Sequence, residues 1–194
     1  MLTNKNSQEA EFEKEWLSME KYDFKILTLI AVLAQNGLAY RGKLKDMCEF
    51  LGVANQTNNK NKIKEAVNNL HKEGYIYFIK DGQTYTLTLQ VKAEKDRQII
   101  RIKKQWINMV RDTKGASWDT ILRVWLYLID NSKEVIRNAD IATDLNMSIS
   151  TVKRVKSVLV DELHAIKCTN KAKKIGPDTY IRLGQTIDTF AWID

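Results

Sequence analysis

Lysine, arginine, amide and hydroxyl side chains gather at close spacing in two stretches of the sequence. One holds Ser148, Ser150, Thr151, Lys153, Arg154 and Lys156; the other holds Asn58, Asn59, Lys60, Lys62 and Lys64; a short basic cluster follows at Lys171, Lys173 and Lys174. Such groups neutralise phosphates, and some also read base edges, Arg pairing bidentately with guanine and Asn or Gln with adenine. Residue types that make and break bonds are thinly spread. His71, His164, Cys48 and Cys168 include no Cys-x-x-Cys pair, a helix is expected to end between His164 and Cys168, and Cys48 reads as a packed helix residue. No glycine-rich phosphate loop, nucleophile elbow or paired His–carboxylate arrangement occurs. The expectation is a binding protein: no enzyme, no catalytic residue, no cofactor and no metal.

With 194 residues, 44% hydrophobic and 28% charged, and a single Pro, the chain can bury one substantial core or two small ones. Its net charge of +7 understates the asymmetry, because Glu9, Glu11, Glu13, Glu15 and Glu20 crowd the start against Lys5 and Lys14. The remainder is therefore more basic still, the electrostatic footprint of a protein whose partner is a polyanion. Two cysteines are too few for a disulfide framework and suit a reducing compartment. No apolar run approaches the roughly 20 residues that cross a bilayer, and the first residues lack an apolar signal core, so a cytoplasmic location with no membrane partner is expected. Lys far exceeds Arg, and Asn and Ile are abundant, a bias that points to an AT-rich bacterial genome or one of its mobile elements.

Near the start of the chain, Phe12, Trp16 and Met19 predict a short helix over about residues 9–20, within an acidic segment, residues 1–21. Ile26, Ile30 and Leu33 then mark an apolar helix stopped at Asn36-Gly37. A second helix carries Leu44, Met47, Cys48 and Leu51 and ends at Gly52, and a third carries Ile63, Val67 and Leu70 and ends at Gly74. Two β-rich runs, residues 75–79 and 84–89, flank Asp81-Gly82, a strong hairpin signal in which Lys80 and Gln83 are minor candidates for contact. The same order returns about 95 residues later: a helix over 118–129 with Ile121, Val124, Trp125 and Leu128 inward, a short strand at Val135-Ile136, a helix capped by Asn138 and running to Leu145, a helix from Thr151 to about His164, and strands over 165–169 and 179–183. Between the repeats, residues 92–115 predict an amphipathic connecting helix whose seam is Ile99, Ile102, Trp106 and Met109. That seam packs on a flanking domain or, as the alternative, on a second chain. The tryptophans, Trp16, Trp106, Trp118, Trp125 and Trp192, fit core and interface packing better than base stacking.

The segment 138–155 resembles the bacterial helix-turn-helix. Ala142 stands where that motif has a small residue inside its first helix, Asn146 where it turns through the left-handed conformation, Met147 at the apolar position after the turn, and Val152 and Val155 at those that lock the second helix. A larger side chain at Ala142 would part the helices, and Asn tolerates positive φ better than any residue except Gly. Ser150 or Thr151 is expected to cap the second helix. In the earlier repeat, Cys48, Gly52 and Val53 match, but Ile63 lies ten residues after Val53 rather than the five between Met147 and Val152, so residues 54–62 read as an extended turn or a longer helix start.

Taken with the hairpins, the chain resembles tandem winged helix-turn-helix DNA-binding proteins of bacteria and their mobile elements. The resemblance implies a mainly α fold with small β-hairpin wings (α+β), one domain at 22–91 and another at 116–194. It implies sequence-specific binding of double-stranded DNA by a transcription regulator, or by a replication initiator of a plasmid or phage. The second helix of the later motif would enter the major groove, with the Lys171, Lys173 and Lys174 wing on adjacent phosphates. A different class is an adaptor that docks proteins, or a homodimer partner, through the N-terminal segment or the connecting helix.

Overall fold

Alternation rather than helical periodicity governs the start of the computed structural model, which describes residues 8–34, 39–90, 98–132, 134–175 and 180–189. Ala10 and Phe12 are buried while Glu9 and Glu11 are exposed, the period of a strand with one face on a core. This strand, β1 (Glu9–Glu13), pairs antiparallel with β5 (Ile99–Lys103), Phe12 opposite Ile100. A 3-10 turn, Lys14–Ser18, carries Trp16 back onto Phe12, their rings edge to face at 6.1 Å. The helix expected over residues 9–20 is thus a strand and a turn, and the partner of its aromatic residues is α1 (Lys21–Leu33), whose Phe24 ring lies 6.2 Å from Phe12.

The chain divides into two compact units, Met1–Lys104 and Gln105–Asp194. In unit 1, α1 is followed by β2 (Ala39–Lys43), α2 (Leu44–Leu51), α3 (Thr57–Lys72), β3 (Ile76–Asp81) and β4 (Thr84–Leu89), with sheet order β2-β4-β3. Unit 2 holds most of α4 (Lys104–Asp112), then α5 (Trp118–Asp130), β6 (Val135–Ile136), α6 (Asn138–Asp144), α7 (Ile149–Ser157), a π-helical turn Val158–Glu162, β7 (Ile166–Lys174) and β8 (Tyr180–Thr189). Its sheet order, β6-β8-β7, repeats that of unit 1. The fold is therefore mixed α/β with small sheets, the strands contributing more than the mainly α expectation allowed.

Each core forms around one helix apolar on nearly every side. In α5 the side chains of Ile121, Leu122, Val124, Trp125, Leu126 and Leu128 are all buried, and Ile26, Leu27, Leu29 and Ile30 are buried in the same way in α1. Full burial of one such aliphatic side chain stabilises by about 1.5–3 kcal/mol. The helices after them start alike: Asp46 accepts the backbone amide of Lys43 at 2.8 Å, and Asp140 that of Arg137 at 3.0 Å, each satisfying an orphan donor of the first turn. Arg137, not Asn138, is thus the N-cap of α6.

The connecting helix expected over 92–115 is shorter. Residues 92–97 lie outside the described residues, Ile99–Lys103 form β5, and only Lys104–Asp112 are helical. The β-branched run Ile99-Ile100-x-Ile102 finds in β1 an antiparallel partner 90 positions away in register, Arg101 opposite Glu11, and the two form an ion pair at 3.0 Å. In α4 the buried residues are Ile107 and Val110, whereas Met109 is exposed. Trp106, Met109 and Val110 line a shallow cleft with Trp125, Leu163 and Ala165 of the same unit. No described helix is long and apolar enough to cross a membrane.

Candidate nucleic-acid interface

The turn between α6 and α7 has the geometry that its residue types demand. Ala142 is buried, Asn146 adopts φ 50°, and the Met147 amide donates to the Ala142 carbonyl at 2.8 Å. Ser148, rather than Ser150 or Thr151, is the N-cap: its Oγ accepts the Thr151 amide at 3.1 Å and lies 2.8 Å from both the Ser150 and Thr151 hydroxyls. The helix begins at Ile149, two residues before the expected Thr151, and its regular part ends at Ser157.

This register decides which side chains face outward. At about 100° per residue, Val152, Val155 and Lys156 fall on the inner side and are buried, while Ser150, Lys153, Arg154 and Ser157 are exposed and Thr151 is half-buried. Among the described residues, neither Lys153 nor Arg154 bonds another side chain. Ser157 donates to Asp161 at 2.6 Å, so the acidic end of the face begins one turn beyond Arg154. Ile149, 47% exposed at the first position of the helix, carries no polar signal to mark it in the sequence; once Ser148 is known to be the cap, its place beside Lys153 follows.

Lys156 is the principal correction to the expected set. Only 6% exposed, it turns inward, and its Nζ donates to Asn138 Oδ1 at 3.0 Å and to Gln185 Oε1. Burial pushes its pKa below the ordinary lysine value, with the neighbouring Cys168 acting in the opposite sense; burial likewise pushes the Cys168 thiol up. Lys156 therefore presents no charge to a phosphate.

β7 and β8 run further than the expected strands, and residues from Thr169 to Ile175 are exposed without a break. Lys171 and Lys173 share one face of β7 with the exposed Lys167, and Lys174 lies on the other, by strand alternation. No acidic residue occurs from Ala165 to Ile175, so the hairpin arm is uniformly basic along β7.

In unit 1, residues 54–62 resolve into a longer helix start, because α3 begins at Thr57. The turn before it runs through Gly52 at φ 65°, a conformation disfavoured for any residue bearing a Cβ. Asn58 and Lys64 are exposed, together with Asn61, Glu65 and Asn68, on the outer side of the helix. Asn59 is not available to a base: its Nδ2 donates to the Ala54 carbonyl at 2.8 Å and its Oδ1 accepts from the Tyr22 hydroxyl at 3.3 Å. The Lys62 ammonium sits 5.7 Å from the centre of the same Tyr22 ring, and Lys60 is half-buried near Cys48. In the hairpin, Lys80 lies over the Tyr85 ring at 6.0 Å.

The two histidines and two cysteines, the residue types that could bind zinc, serve elsewhere. His71 Nδ1 lies 3.1 Å from the Ile76 carbonyl with its ring against Phe78, His164 Nδ1 lies 2.9 Å from the Val160 carbonyl, Cys48 is buried, and Cys168 stands beside Lys156. Among the described residues no three His, Cys, Asp or Glu side chains gather as a metal ion requires. No protein-family model matches the sequence, and no curated protein matches it either.

Proposed function

We propose that this chain is a sequence-specific double-stranded-DNA-binding protein built of two winged helix-turn-helix domains, acting as a transcription regulator. In this reading α7 enters a major groove, Arg154 pairs with guanine, Ser150 and Lys153 meet bases or phosphates, and the β7–β8 wing lays Lys171 and Lys173 along the neighbouring backbone. The observation that carries it is the pairing of an outward Lys153–Arg154 ridge with a basic arm in one unit. Unit 1 repeats the order of elements and offers the amides of Asn58 and Asn61 with Lys64 on α3.

A replication initiator of a plasmid or phage would use the same surfaces, and the process served is decided by where the bound sites lie. An adaptor or a homodimer would instead dock on what the N-terminal strand and α4 leave outward, Glu9, Glu11 and Met109, since Phe12, Trp16, Ile107 and Val110 are buried. Selection of bound fragments from random duplexes by the full chain tests the proposal. A recovered sequence motif, with affinity that falls steeply as salt rises, is expected; fragments without a common motif reduce it to non-specific binding, and failure to bind sinks it.

A further inference from the structure

The arm of unit 2 leaves the core at a built joint. Lys171 stands opposite Gly184 and Ala172 opposite Arg182, so Leu183 is the extra residue of a β-bulge, a device that bends a strand and re-aims the residues beyond it. Gly184 adopts φ 148°, and a Cβ there would stand 2.9 Å from the Ile136 carbonyl oxygen, so the close approach of β8 to β6 admits only glycine.

Two cations hold this joint. Arg137, at the start of α6, donates from Nε to the Leu183 carbonyl at 3.2 Å. Lys156, on α7, donates to Asn138 of α6 and to Gln185 of β8, and Gln185 Nε2 passes the chain on to Asn170 Oδ1 at 2.9 Å. Asn170 immediately precedes Lys171. One run of hydrogen bonds thus links the inner side of the helix that carries Lys153 and Arg154 to the residue from which the basic arm extends. A buried ammonium costs desolvation that a methionine of similar reach would not. The amine adds direction in return: it ties together acceptors on different elements, and those ties hold only in one arrangement.

We propose that Lys156 is a positioning residue that sets the angle of the basic arm to the outward face of α7, so that helix and arm engage duplex DNA as one reader of fixed spacing. This rests on the DNA-binding reading above. Its test uses the full chain carrying Lys156→Met, Lys171→Ala with Lys173→Ala, or all three, titrated across salt against a duplex recovered by selection. Each lost phosphate contact lowers the salt slope by about 0.9. Lys156→Met is expected to stay folded by thermal melting, yet to lower the slope by nearly as much as the two wing substitutions together. The triple variant is expected to be no worse than the wing pair alone, because Lys156 acts through those lysines. A wild-type slope in Lys156→Met, or losses that simply add, overturns the positioning role while leaving DNA binding intact. A wild-type chain that binds no duplex overturns both. Should Lys156→Met fail to fold, Gln185→Leu cuts the same link with Lys156 still bonded to Asn138, and the same combinations decide.

Discussion

α3 and α7 occupy the same place in two units whose three-stranded sheets share one strand order, but they use their polar side chains differently. In α3 Asn59 is tied to Ala54 and Tyr22 and Lys60 is half-buried near Cys48, while the exposed Lys62 rests over the Tyr22 ring. The side chains left outward there mix amides, Asn58, Asn61, Asn68 and Asn69, with Lys62, Lys64, Glu65 and Lys72. In α7 only Lys156 turns inward, and the outward face keeps Lys153 and Arg154. The hairpins differ in the same sense: β3 and β4 close tightly at Gly82-Gln83 with Lys80 held against Tyr85, whereas β7 runs on through an exposed basic stretch. The repetition of a fold therefore does not carry with it the repetition of a surface. Unit 2 sets outward cations on one helix and on β7, a strand without acidic residues, and unit 1 mixes its exposed lysines with amides and acidic residues.

The largest effect expected is alkaline, and it reaches each unit through a different tyrosine. Burial, helped by Asp46, raises the Tyr40 phenol of β2 from 10.0 to about 12, while Ile136 of the corresponding strand β6 does not titrate. Between pH 10 and 12 the unfolded chain loses a proton that the folded chain keeps, so stability falls as pH rises through that window, by about 2–3 kcal/mol at its upper end. Denaturant titrations at pH 8 and 11.5 should show that Tyr40→Phe removes this share. Tyr127 of unit 2, raised by burial and by its hydrogen bond to Asp144, adds a loss of the same sign that survives the substitution. An unchanged alkaline loss in Tyr40→Phe would break the distinction.

Base reading comes next. Arg154→Ala should weaken specific binding by about 1–3 kcal/mol and relax preference at one base pair. Asn61→Ala, on the matching face of α3, should change affinity less, and anisotropy titrations on selected and scrambled duplexes compare the two directly. Equal losses would make the units equal readers. The smallest effect expected is in salt dependence: Lys171→Ala should lower the slope by about 0.9, whereas Lys62→Ala, whose ammonium already faces Tyr22, should leave it close to wild type.

Much of unit 2 is legible in the sequence because its signals are local. Ala142, Asn146 and Met147 demand a tight left-handed turn by their own size and backbone preference, and Ser150, Lys153 and Arg154 lie outward at the spacing a helix imposes. The inward turn of Lys156 is present in the same spacing, since it follows Val152 by four and Val155 by one, but a lysine ordinarily belongs to the surface whatever its phase. Asn59 misleads for a similar reason: its type fits a base edge, and only the fold brings Tyr22 to it.

The sequence by itself determined the helix-helix-helix-hairpin order within each repeat, the left-handed turn at Asn146 and the outward Lys153–Arg154 pair, because periodicity and backbone preference act within a few residues. The tertiary structure alone decided the pairing of β1 with β5, the lengths of β7 and β8, the joint at Gly184 and the inward anchoring of Lys156. Those features arise where segments far apart in the chain supply each other's hydrogen-bond partners, and no window along one of them contains the other.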